Sequence, residues 1–87
     1  MTIIGGEIPQ LHSLNANFQR QAGTVDTLLR DLGNELAGTY WRGGAADRFR
    51  TSWSGEYEPA LRKLSAALLE AATEVRRRAE ALEQAGG

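Results

Sequence analysis

From Ile8 onward the apolar residues fall at Ile8, Leu11, Leu14, Phe18, Ala22, Val25, Leu28, Leu29, Leu32 and Leu36, in steps of three or four. At about 100° per residue these side chains share one stripe of a helix. Arg20, Thr27, Arg30 and Asn34 fall on the opposite side, where water is expected. Pro9 suits the first turn of such a helix, because its missing N–H has no intrahelical acceptor there. The pattern predicts a first helix over residues 8–38, behind a flexible N-terminus of residues 1–7. Three glycines within Gly38-Thr39-Tyr40-Trp41-Arg42-Gly43-Gly44 then interrupt the period and predict a turn over 39–44. The stripe resumes with Ala46, Phe49, Trp53, Tyr57, Leu61, Leu64, Leu68, Ala72, Val75, Ala79 and Leu82, with Asp47 in the first turn. This predicts a second helix over 45–84 and a short tail, 85–87. Gly55 lies four residues before Pro59, whose ring collides with the carbonyl at that distance, so a kink is expected there; the alternative is that Pro59 ends one helix and begins another.

Two long amphipathic helices joined by a short turn predict an all-α fold, an antiparallel two-helix hairpin of about 45 and 58 Å arms. Each stripe covers about a third of its helix, and one neighbour cannot cover both. A second hairpin can, so pairing into a four-helix bundle dimer is expected. The residues predicted to form the hairpin or dimer core are Leu14, Phe18, Val25, Leu28, Leu32, Phe49, Trp53, Leu64, Leu68 and Val75.

Composition agrees with helix. The 87 residues hold thirteen Ala and eleven Leu against five Ile plus Val, enough for one small domain. The absence of Cys and the single His12 leave no material for a disulfide framework or a metal site, and no cofactor is expected. Ten Lys and Arg balance eleven Asp and Glu, which argues against nucleic acid as a partner. The N-terminus lacks a basic region and a long apolar run, so no signal peptide is read there, and no stretch suits a membrane span.

No catalytic constellation emerges. Glu56 and Glu58 diverge around the helix and cannot act as an acid–base pair. No base accompanies Ser13, Ser52, Ser54 or Ser65, and His12 reads as a boundary or surface residue. The basic run Arg76-Arg77-Arg78 is balanced by Glu74 and Glu80 at spacing four, so it reads as a solvated helix face. Phe49, Trp53 and Tyr57 read as packing at the turn end of a bundle rather than a ligand pocket.

One motif remains: Trp41-Arg42-Gly43 stands at the turn, with Phe49 following on the second helix. With its two flanking amphipathic helices, few prolines and no cysteine, the chain resembles the WXG family of small secreted proteins, the Esat-like substrates of type VII secretion. The resemblance spans nearly the whole sequence. It implies a non-enzymatic hairpin, with Trp41 and Gly43 as the turn motif, pairing with itself or with a sister chain of the family. It also implies synthesis in the cytoplasm and export, without a signal peptide, by an ATP-driven membrane machine. Many family dimers carry a Tyr-x-x-x-Asp/Glu tail signal on one partner. Here Gly44 and Leu61 stand four residues beyond Tyr40 and Tyr57. Either a sister chain supplies the signal to the secretion ATPase, or the chain is shortened, or it is not exported. Two other readings stay open: a cytoplasmic adaptor or chaperone for a larger toxin-like protein, and a membrane-active helix pair.

Overall fold

The structure, a computed structural model, describes residues 3–86. Three segments follow in order: α1 (Ile3–Gly38), α2 (Gly44–Ser52) and, after a π-helical turn at Trp53–Tyr57, α3 (Glu58–Gly86). Among the described residues there is no strand, and α1 packs antiparallel against α3 as a helical hairpin. α1 begins at Ile3, ahead of the start expected at residue 8. Pro9 therefore lies inside the helix rather than in its first turn, and it withholds one backbone donor there. Residues 1–2 of the expected flexible N-terminus and Gly87 of the expected tail lie outside the described residues.

The second arm is one continuous rod, 44–86. The backbone N–H of Glu58 bonds to the carbonyl of Trp53, five residues back, which widens one turn immediately ahead of Pro59. Proline has no N–H to offer and its ring crowds the carbonyl of Gly55, so a widened turn absorbs a conflict that would otherwise break the helix. The disturbance expected at Gly55 and Pro59 takes this form.

The packing follows a period of seven. On α1, Ala22 and Leu29 are buried; on α3, Ser65, Ala72 and Ala79 are buried. Beside this seam runs a half-buried line, Leu11, Phe18 and Val25 facing Leu61, Leu68, Val75 and Leu82. Seven residues cover almost two full helical turns, so each line stays on the seam. Small side chains let the backbones approach closely, and two polar side chains exploit this. Asn15 Nδ2 donates to the carbonyl of Ala72 at 2.6 Å, and Ser65 Oγ donates to that of Ala22 at 3.4 Å. These bonds set Asn15 opposite Ala72 and, one heptad along, Ala22 opposite Ser65.

The result is a rod of 65 × 17 × 15 Å with a radius of gyration of 19.4 Å. A compact domain of this length would have a radius near 12 Å. No helix among the described residues is long and apolar enough to cross a membrane.

The close seam predicts that bulk at its centre is destabilising. Ala22→Leu, at a residue 1% exposed, is expected to cost about 1–3 kcal/mol by overpacking. Urea unfolding at fixed chain concentration measures it, and an unchanged midpoint would contradict the close approach.

Candidate interaction surface

The turn is built from backbone geometry and one side chain. Gly43 precedes α2 with φ 110° and ψ 178°, and it is the one described residue with positive φ. This region is open to glycine alone. A Cβ at Gly43 would meet nothing within 4 Å, so the requirement is the dihedral and not space. The carbonyl of Gly43 accepts the N–H of Asp47 at 3.0 Å, which starts α2. Thr39 closes α1, its Oγ1 donating to the carbonyl of Glu35 at 2.6 Å.

Arg50 joins the two halves. Its guanidinium donates to the carbonyls of Trp41 at 2.8 Å, Thr39 at 3.1 Å and Leu36 at 3.3 Å, and it sits 5.9 Å from the centre of the Trp41 ring. The carbonyls ending a helix lack intrahelical donors and carry partial negative charge, which a guanidinium satisfies. Trp41 also stacks on Phe49 at 5.8 Å, and Phe49 on Tyr57 at 6.3 Å. All three rings are exposed along one side, Trp41 at 41%. Tyr40, 86% exposed, projects at the tip under the Arg42 guanidinium.

Away from the turn, the hairpin has two unlike edges. Positions four residues after the buried seam share one edge, where His12 meets Glu83 at 3.3 Å and Asp26, Arg30, Glu58 and Arg62 lie together. Positions one residue before the seam share the other edge, because the helices are antiparallel. There stand Leu14, Leu28, Tyr57 and Leu64, all exposed, flanked by exposed Leu32 and Phe49. Near the turn, Leu32, Leu36, Phe49 and Trp53 line one groove on this apolar edge.

Of the residues predicted for the hairpin or dimer core, Phe18, Val25, Trp53, Leu68 and Val75 are half-buried. Leu14, Leu28, Leu32, Phe49 and Leu64 remain exposed in the single hairpin. Leu29 is the largest buried apolar side chain among the described residues. The accessible surface of 6368 Å² exceeds by about 1,300 Å² the roughly 5,000 Å² of a compact chain of this mass.

Asn15, Ser65 and Arg50 were not among the expected site residues. Asn15 and Ser65 carry a signal, since each is a polar residue on the apolar seven-residue line. Arg50 carries none, because nothing in its spacing measures its distance from three turn carbonyls. In the basic run, Arg76 approaches Glu80 at 3.9 Å, and the pairing of Glu74 with Arg78 is not formed.

Gly43→Ala is expected to cost about 1–3 kcal/mol through its backbone dihedral. Trp41→Ala should cost about 2 kcal/mol in the single hairpin, below the roughly 3–5 kcal/mol of a fully buried ring, because the indole is part exposed. Arg50→Ala should lower stability by a similar amount, and Arg50→Lys should recover little of it, since an ammonium cannot bond three diverging carbonyls. Thermal unfolding of the four variants checks these orderings. Full recovery in Arg50→Lys would contradict the role given to the guanidinium fork.

No curated protein and no solved structure matches the chain significantly. A family model described as proteins of 100 residues with WXG matches residues 6–86. That span contains α1 from residue 6 onward, the Trp41-Arg42-Gly43 turn, the whole second arm and the whole apolar edge, and the chain belongs to the WXG100 family.

Proposed function

We propose that the chain is a non-enzymatic type VII secretion substrate or secretion partner that works as a dimer of hairpins, with itself or with a sister chain. The observation that carries this reading is the exposed edge of Leu14, Leu28, Tyr57 and Leu64, along a hairpin whose described residues include no fully buried aromatic side chain. Family membership supports this reading, since the family is associated with secretion. A second hairpin laid on this edge turns half-exposed leucines into the centre of a four-helix bundle. It also covers the ladder Trp41, Phe49 and Tyr57, so the turn motif sits at the end of the interface. Recognition by the secretion ATPase then falls to the paired form.

Leu28→Glu and Leu64→Glu test this reading. Both side chains are about half exposed in the single hairpin, so each variant should still form helix. In the dimer the new carboxylate is buried without a partner, which costs several kcal/mol and should split the pair. Light scattering should report monomers, and export from cells carrying a type VII system should be lost. Variants that stay paired and are exported at the original level would overturn the proposal.

A further inference from the structure

Counted back from the end of α3, two lines of residues face α1 at intervals of seven, Ala79, Ala72, Ser65 and Glu58 in one and Leu82, Val75, Leu68 and Leu61 in the other, all buried or half-buried. At the same interval the next members are Thr51 in the first line and Ser54 and Asp47 in the second, yet all three are exposed. The residues that do face α1 stand one place earlier: Arg50 and Trp53 are half-buried, and Ala46 is 0% exposed. The apolar edge makes the same step. Leu64 and Tyr57 are seven apart, but the ring stacked on Tyr57 at 6.3 Å is Phe49, eight residues before it. Each line thus gains one residue, between Arg50 and Glu58, between Trp53 and Leu61 and between Phe49 and Tyr57. These three steps overlap only at 53–57, which is the π-turn.

From this we infer that the π-turn is a register joint, which takes up one extra residue so that the Trp41 turn and the α3 seam face α1 together. A five-residue hydrogen bond absorbs a residue without breaking the rod, and one residue is a rotation of about 100°. A regular helix over 44–86 would turn Asp47, Thr51 and Ser54 toward α1 and would place Arg50 in line with Tyr57 and Leu64 on the apolar edge. With the joint, Trp53 lines the groove beside Leu32 and Leu36, and Phe49 continues the edge. The Arg50 guanidinium is then free of the edge and reaches the carbonyls of Leu36, Thr39 and Trp41. Pro59 does not account for this choice of residues, because a kink relieves a proline clash equally well. Gly55, in the middle of the joint, has no positive φ, and a Cβ there would meet nothing within 4 Å. What the joint takes from Gly55 is therefore its place in the count and not its conformational freedom. The inference concerns the single hairpin and stands apart from whatever covers the apolar edge.

Variants of the full chain separate a register joint from a proline effect. In Pro59→Ala the extra residue persists, so the bond from the Glu58 N–H to the Trp53 carbonyl should remain and the Trp53 ring should stay beside Leu36, both read by NMR. Deleting Gly55 from Pro59→Ala makes every eight-residue step a seven. The second arm should then become regular α-helix, with Trp53 still beside Leu36 and Arg50 still at the turn carbonyls. Removing a residue from a packed helix ordinarily rotates one half out of register. Here the melting temperature at fixed chain concentration should stay within about 5 °C of that of Pro59→Ala. Deletion of exposed Thr27 is the comparison, since α1 has no extra residue to give up, and it should lower the melting temperature by more than about 15 °C or abolish cooperative unfolding. A regular helix in Pro59→Ala would make the turn a product of the proline and overturn the inference. So would a Gly55 deletion that melts as low as the Thr27 deletion or releases Trp53 from Leu36.

Discussion

The distance between α1 and α3 is the constraint from which the rest follows. Ala22, Ala72, Ala79 and Ser65 keep the seam narrow, and Asn15 and Ser65 can then reach backbone carbonyls on the opposite helix. A narrow seam lined by small residues leaves little room for large ones. The leucines one residue ahead of the seam, Leu14, Leu28 and Leu64, are therefore turned outward, while polar and charged residues four positions after it, His12 and Glu83 among them, gather along the opposite edge. Asymmetry between the two edges is thus a consequence of seam chemistry and helix direction. A hairpin of this kind leaves in water apolar side chains that a compact domain would bury.

Gly43, Arg50 and Trp41 solve a separate problem, reversing the chain without widening that seam. Gly43 supplies a dihedral closed to other residues, and Arg50 answers the carbonyls that the end of α1 leaves exposed. Trp41 does not fill a core. It lies against Arg50 and Phe49 with much of its surface in water, and so extends the apolar edge to the tip of the rod. The tryptophan and glycine of the motif thus serve different ends, one surface and the other backbone.

Much of this was legible in the sequence, for a physical reason in each case. Steps of three and four from Ile8 to Leu36 and from Ala46 to Leu82 permit only helix, and the Trp41-Arg42-Gly43 turn forces the two helices to return. The strict sevenfold line of Ala22 and Leu29, and of Ser65, Ala72 and Ala79, was present but hidden inside a broader apolar stripe, because alanine and serine score weakly as core. Pro59 announced a disturbance without its form, since a kink and a π-turn relieve the same clash. Arg50 was illegible, as its role depends on where three carbonyls point after the chain has turned.

Solution X-ray scattering over a concentration series measures directly whether the apolar edge is covered by a second hairpin. The expected particle has about twice the 9.5 kDa mass of the chain and a longest dimension well short of twice 65 Å, as side-by-side hairpins require. A 9.5 kDa rod at every concentration, or a dimer approaching twice the 65 Å length from end-to-end contact, would show that Leu14, Leu28 and Leu64 face something other than another copy of themselves.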